Sequence, residues 1–317
     1  MTSLLPNPPA ILVTGATGFI GRTLVDALQR DARSVIALSR DVRSAQTTLG
    51  DDVRVVGRLD DITSDTAIDA IVHLAGARVL GPPWTDARRH TLIASRSAVT
   101  DRLLGLMHRL RQPPRTLVSA SAVGFYGASP NESFEPRDEA SPPRPGQFQS
   151  DLCVAIERAA LQAEPLGVRV VRMRFGVVMG RAGGAYPMQA LAAGLGFGAI
   201  LGSGRQPAPW IHLDDAVGLL RFALDRPALV GAVNAVAPDT RAQVDFVNAL
   251  AASLGRRARL RIPSAPLRLA MGEMSELLLK GQNAIPSAAM RAGYAFIHPS
   301  LDKALGDLAR ARLGHRL

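Results

Sequence analysis

The chain has 317 residues, 47% of them hydrophobic and 20% charged, enough to bury a full core and build one large domain with a smaller annex. Its formal charge of +10 is spread along the sequence, at Arg54, Arg58, Arg88, Arg89, Arg109, Arg111 and from Arg256 to Arg261, and aromatics are only 4%, which argues against nucleic acid as a partner. No apolar run approaches the roughly 20 residues that span a bilayer, Cys153 has no second cysteine to pair with, and no His/Cys cluster has zinc-site spacing, so the expectation is a cytoplasmic protein without membrane partner or metal.

Residues 1–9 read as a loose tail with no basic-then-apolar leader. Ile11-Leu12-Val13 then reads as a buried strand. It runs directly into Thr14-Gly15-Ala16-Thr17-Gly18-Phe19-Ile20-Gly21, and a helical pattern follows with Ile20, Leu24 and Leu28 four residues apart. Glycines at 15, 18 and 21 remove the side chains that would block a tight strand-to-helix turn, an approaching pyrophosphate and close helix–strand packing. The new helix points unpaired N–H groups and its positive dipole end at the phosphates. Gly15, Thr17, Gly18, Phe19 and Ile20 are therefore candidate cofactor-binding residues.

Further short β-branched runs follow at Ser34–Leu38, Val53–Val56, Ala70–Leu74, Thr116–Ser119 and Val168–Met173, most of them separated by helix-like stretches. Two of those stretches, Arg88 to Leu110 and Ser150 to Ala163, read as crossover helices. The alternation predicts an α/β fold, a Rossmann-type doubly wound parallel sheet, and the C-terminal stretch is expected to form much of a smaller domain closing over the cofactor. The Rossmann domain is expected over 10–174 with a return segment at 207–238, containing a helix from Asp214 to Leu224 and a strand at Ala232–Val236. Residues 175–206 and 239–317 are assigned to the smaller domain. Eight glycines between Gly180 and Gly204 predict loops and short strands around a pocket mouth, and the remainder predicts three helices broken at Pro263, Pro286 and Pro299.

A site selective for NAD usually places an acidic residue about 20 positions past the glycine turn, on the ribose 2′-hydroxyl. Here the second strand ends in Ala37-Leu38-Ser39-Arg40. A guanidinium at that place attracts a 2′-phosphate, and Ser39 can donate to the same oxygens, so Ser39 and Arg40 favour NADP(H); Asp41 is the competing candidate.

The turn TGATGFIG, the strand end His73-Leu74-Ala75-Gly76, the run from Ser119 to Gly127 and Trp210-Ile211-His212-Leu213-Asp214-Asp215 together resemble the extended short-chain dehydrogenase/reductase superfamily. Trp84-Thr85, Ser95-Arg96, Gly202 to Gln206, Asn234 to Pro238, Gly272-Glu273-Met274 and Gly281-Gln282 narrow the resemblance. They are similar to the nucleoside-diphosphate-sugar epimerase family whose human member is a short-chain dehydrogenase/reductase family 39U protein, including its C-terminal domain of unknown function. The resemblance implies NAD(P) in a Rossmann domain, a smaller C-terminal α/β substrate domain, cofactor contacts at Leu74, Ala75, Gly76 and Ser119, and homodimerisation through the long helices.

It also implies chemistry by a Ser/Tyr/Lys set, from which this chain departs. Anchoring the YxxxK motif on Glu157 puts the lysine position at Cys153 and the tyrosine position at Gln149, and the superfamily serine falls on Ala122 or, with a one-residue slip, on Ser121. The only lysines are Lys280 and Lys303, so no ammonium stands where the motif needs one. Candidates to act instead on an unidentified small polar or anionic substrate are Ser121, Arg96 and Tyr126. Arg96 reads alternatively as a crossover-helix arginine paired with Asp101, and Tyr126 as a packed aromatic. Arg205 is a candidate contact to a diphosphate. His212, Asp214 and Asp215 read as structural. The expected function is an NADP(H)-binding reductase or epimerase without the standard dyad, the alternative being a non-catalytic NADPH sensor or scaffold.

Overall fold

A computed structural model of the chain describes residues 9–129 and 132–313; of the expected tail, all but Pro9 lies outside the described residues. The elements run β1 (Ala10–Thr14), α1 (Phe19–Arg30), β2 (Val35–Leu38), α2 (Val42–Leu49), β3 (Arg54–Val56), β4 (Ile68–His73), α3 (Asp86–Arg109), β5 (Thr116–Ala122), β6 (Pro136–Arg137), α4 (Phe148–Leu161), β7 (Arg169–Phe175), β8 (Val177–Gly180), β9 (Gly183–Gly184) and α5 (Tyr186–Gly194). They continue with β10 (Ala199–Leu201), β11 (Pro207–Ala208), β12 (Trp210–His212), α6 (Leu213–Asp225), β13 (Gly231–Ala235), β14 (Arg241–Ala242), α7 (Gln243–Ser253), β15 (Leu260–Ile262), α8 (Ser264–Met271), α9 (Glu276–Leu279), β16 (Asn283–Ala284), α10 (Ser287–Arg291) and α11 (Leu301–Leu313).

Seven strands form one sheet in the order β13-β7-β5-β4-β1-β2-β3, every neighbouring pair parallel. All five residues of β1 are buried, as a strand covered on both faces requires. Alternate side chains feed two cores. Val13, Val72 and Val118 meet Leu24 and Leu28 of α1 and Leu220 of α6 on one face, while Leu12, Ile71 and Leu117 meet Leu103 and Met107 of α3 on the other. Each such fully buried side chain contributes about 1.5–3 kcal/mol, so both helical layers are strongly held. The strand order reverses between β1 and β4, and the crevice beyond their carboxyl ends is where ligands collect in such sheets.

The predicted Rossmann-type α/β sheet is therefore the observed one, with strand and helix ends shifted by one to three residues. Two expectations about the C-terminal half are corrected. The glycine-rich segment is not only loops and short strands, because it holds the nine-residue helix α5 between β9 and β10. Three of its glycines have a non-local cause: a Cβ on Gly180, Gly183 or Gly184 would stand 2.7, 2.5 or 2.8 Å from the Phe19 ring. Pro263 and Pro286 precede α8 and α10 directly, and Pro299 stands two residues before α11, so these prolines begin helices rather than break them. The C-terminal portion consequently contains more and shorter helices than predicted. α7 and α11 close around Trp210 and Met179 in a third core, and β16 pairs in parallel with β6.

Candidate functional site

The glycine turn has the shape its sequence requires. Gly15 sits at φ +70°, and a Cβ there would come within 2.9 Å of the Ala75 nitrogen and the Leu74 carbonyl carbon; a Cβ on Gly21 would lie 2.1 Å from the Gly15 carbonyl oxygen. Gly18 is the N-cap of α1, which has no side-chain cap and no acidic residue in its first turn. Its leading N–H groups are therefore left for an external anion. Thr17 and Gly18 lie in this turn, Phe19 and Ile20 open α1, and the Phe19 ring turns away to the β8–β9 hairpin.

Thr14 and His73, neither assigned a role from the sequence, fasten the turn to the end of β4. The Thr14 hydroxyl stands 2.6 Å from His73 Nδ1 and accepts from the Ala75 N–H at 3.3 Å, which fixes the backbone through Leu74, Ala75 and Gly76. Burial, and then the nearby Arg96 charge, lower the His73 pKa to about 4, so the ring is neutral near pH 7. The Ser119 hydroxyl, opposite His73 on β5, is buried without a hydrogen-bond partner.

Beyond these strand ends lies a cavity of about 130 Å³ whose lining includes Leu74, Ala75, Gly76, Arg96, Ser121 and Cys153. Arg96 enters it from α3. Its guanidinium donates to the Leu92 carbonyl at 3.0 Å and the Ala77 carbonyl at 2.9 Å, and lies against Gly76, where a Cβ would be 2.9 Å from the guanidinium carbon. Its partners are these carbonyls and not Asp101. Burial pushes its pKa down from the usual arginine value, but a guanidinium remains a cation. Two of its five N–H groups are used, leaving donors for a ligand.

Ser121 enters from β5 and donates to Glu157 Oε1 at 2.8 Å. Glu157 and Arg174 are each about 97–98% buried and form a two-pronged pair, Nε to Oε1 at 2.8 Å and Nη2 to Oε2 at 2.9 Å, with Arg172 also on the carboxylate at 3.2 Å. Arg174 Nη1 donates to the Tyr126 hydroxyl at 2.9 Å, and that hydroxyl donates to Asn234 Oδ1 at 2.7 Å. Tyr126 is accordingly a buried member of this network, the packed aromatic of its alternative reading, and does not line the cavity with Ser121 and Arg96, which corrects the expectation that it meets the substrate. Burial, the larger effect, raises its pKa against the pull of Arg174, so it stays protonated. Tyr126 follows the carboxyl end of β5, and its hydroxyl turns inward, toward Asn234 of β13.

Cys153, at the lysine position, lines the cavity with its thiol pushed up to about 11, by burial and then by Glu157, and so un-ionised. Gln149, at the tyrosine position, is buried with neither amide atom hydrogen-bonded. Outside the cavity, Ser39 and Arg40 follow β2 and stand beside the turn through the Thr14–Leu38 register. Ser39 Oγ donates to the Asp41 carbonyl, and Asp41 caps α2 by accepting from the Ser44 N–H at 2.9 Å, whereas Arg40 is exposed and forms no ion pair among the described residues. Arg205 Nε pairs with Glu132 at 2.9 Å, and Arg205 is not among the residues lining the cavity. The C-terminal turn at Gly272–Ser275 backs the cavity: Glu273 accepts from Phe148 N–H and pairs with Arg89, and Met274 packs with Trp84, Leu152 and Ile156.

Among the described residues no helix is long and apolar enough to cross a membrane. Residues 11–236 match the NAD dependent epimerase/dehydratase family, and residues 262–308 match a domain of unknown function. The chain is 33% identical over 306 residues to the epimerase family protein YfhF of Bacillus subtilis, covering 95% of this chain and 98% of that protein. It is 35% identical over 301 residues to the human epimerase family protein SDR39U1, covering 94% and 99%. The crystal structure of the human protein with NADPH superimposes with a TM-score of 0.82 over 95% of this chain and 99% of that one, at 32% identity. A nucleoside-diphosphate sugar epimerase of Corynebacterium glutamicum superimposes with a TM-score of 0.76 at 27% identity, covering 95% of this chain and 58% of that one. With its glycine turn, parallel sheet and extended short-chain reductase architecture, the chain belongs to the NAD dependent epimerase/dehydratase family.

Proposed function

We propose that this protein binds NADP(H) and acts as a reductase or epimerase on a small polar or anionic substrate, using Arg96 and Ser121 in place of a tyrosine/lysine dyad. The residues present fit the cofactor: an uncapped α1 N-terminus and a side-chain-free turn for the pyrophosphate, an orphaned Ser119 hydroxyl, and unpaired Arg40 for a 2′-phosphate. NADPH in the human relative's structure supports the same choice. The nicotinamide supplies the redox equivalent when bound; the rest falls to the chain's own side chains.

The observation that carries the reading is that Arg96 and Ser121 line one cavity together with Leu74, Ala75 and Gly76. Arg96, held by two carbonyls, presents a fixed positive charge where negative charge develops on a substrate oxygen, in a site of low dielectric. Ser121 spends its proton on Glu157 and so offers the substrate an acceptor. Steady-state NADPH oxidation, screened over carbonyl and sugar-nucleotide panels, tests this. Turnover that falls about 100-fold or more in Arg96→Gln, with NADPH binding retained, is expected from loss of an electrostatic stabiliser. Tight NADPH binding with no turnover across the panels would sink the enzyme reading. That outcome favours the second reading, a non-catalytic NADPH sensor or scaffold, whose support is a cavity lined by neither tyrosine nor lysine.

A further inference from the structure

His212 ends β12 and caps α6, its Nδ1 accepting from the Asp214 N–H at 3.1 Å. His298 precedes α11 and is brought to the same place by Asp215, which accepts from the Ile297 N–H at 2.7 Å and the His298 N–H at 2.8 Å. The two imidazoles lie against each other with centroids 3.9 Å apart and planes tilted by 39°. Their side chains are only 5% and 7% exposed.

The four ring nitrogens divide into two kinds. His212 Nδ1 and His298 Nε2 face one carboxylate, at 3.4 and 3.3 Å from Asp214 Oδ2. His212 Nε2 and His298 Nδ1 are buried with no hydrogen-bond partner. Asp307 of α11 brings Oδ2 to 3.6 Å from His212 Nε2, and one ligand atom from each of His212, His298 and Asp307 falls within 4.8 Å of the others. With Nδ1 accepting from the Asp214 N–H, a neutral His212 carries its proton on Nε2, and that nitrogen offers a lone pair once the proton moves to Nδ1, where Asp214 Oδ2 can receive it; an orphaned buried nitrogen costs about 1–3 kcal/mol, which an ion bound at this place would offset. Tetrahedral coordination with bonds of about 2.0–2.2 Å separates ligand atoms by about 3.3–3.6 Å, which the Nε2–Oδ2 distance meets.

We propose that His212, His298 and Asp307 form a site for a divalent transition ion of the zinc type, which ties α11 and the segment before it to the start of α6. Two neutral imidazoles and a carboxylate are a borderline donor set that suits zinc. With His212 Nε2 and His298 Nδ1 on the ion, the remaining ring protons of both face Asp214, the carboxylate–histidine–metal arrangement that orients ligands and raises their basicity. At His212 this exchanges the helix-cap bond for one to the Asp214 side chain. Asp307 is 41% exposed, which leaves an entry path, and Arg181 on its outer side at 3.0 Å is the charge an ion must displace. These residues lie 86 and 95 positions apart at the extremes of the trio, which is why no spacing motif announced them and why the sequence predicted no metal.

The test titrates Co2+ and then Zn2+ into the chelator-treated full chain, reading visible ligand-field absorption, stoichiometry by calorimetry and the thermal midpoint. One ion per chain with tetrahedral cobalt bands and a raised midpoint is expected. Asp307→Asn and His298→Phe, the latter keeping the ring stack, should each weaken binding by at least about 100-fold, the upper end of what losing an outer-shell partner costs. Arg181→Gln should bind as tightly as the parent or more so. Absence of cobalt bands overturns the proposal, and so do bands that survive both ligand substitutions, since these would belong to the exposed His90 or His108.

Discussion

Glu157 and Arg174 hold each other by two parallel contacts of 2.8 and 2.9 Å, with almost none of either side chain in contact with water. Removing one member leaves a buried charge alone, so Glu157→Gln is expected to destabilise the protein by about 3–5 kcal/mol in denaturant unfolding. Replacing both, as Glu157→Leu with Arg174→Met, should regain part of that loss. A double variant no more stable than the single one would show that the pair is not the source.

Gly183→Ala places a Cβ 2.5 Å from the Phe19 ring, closer than such atoms approach, so the ring or the β8–β9 hairpin must shift. Overpacking of this kind costs about 1–3 kcal/mol. A lowered thermal midpoint is expected in the parent, and in a Phe19→Ala background the same substitution should cost little. An equal cost in both backgrounds would contradict the contact.

Arg40→Ala should weaken NADPH binding by roughly 10–100-fold, the worth of charge-assisted hydrogen bonds to phosphate, and leave NADH binding unchanged. Titrations followed by nicotinamide fluorescence compare the two cofactors directly. An unaltered preference would return the ribose to another residue.

His73 gives a stability that depends on pH. Its folded pKa of about 4 lies below the 6.5 of an exposed histidine, so as pH falls the unfolded chain takes up the proton first. The contribution is whole above pH 6.5 and is lost down to pH 4, in total about 3 kcal/mol. His212, also lowered by burial and by its neighbour His298, acts in the same direction. Denaturation at pH 7.5 and 4.5 should therefore show a smaller difference in His73→Gln than in the parent, the His212 share being common to both.

Where the determinant is local, the sequence was readable. The apolar strand before TGATGFIG, the glycine spacing and the crossover helices locate the parallel sheet and the strand-to-helix glycine turn to within a few residues. Helix α5 is hidden in the sequence because the glycines before it, Gly180, Gly183 and Gly184, answer to a ring some 160 residues earlier rather than to local flexibility. Arg96 was picked out by its place on the long helix, and the carbonyls it binds lie within 4 and 19 residues. Tyr126 stayed open between a substrate-facing group and a packed aromatic, because the partners that decide for the second, Arg174 and Asn234, are 48 and 108 residues away. Such polar networks have no period to betray them; only the assembled sheet brings their members together.

The seating of Phe19 on Gly180, Gly183 and Gly184 bears on how the protein is made. During synthesis the phosphate-facing turn emerges first, yet the surface that shelters its aromatic ring comes from strands beyond Phe175. A nascent chain halted before that point would present the ring to water, or to other unfinished chains. Maturation of the nucleotide pocket is thus bound to the arrival of the second half of the polypeptide, and contacts of such sequence separation are slow to form.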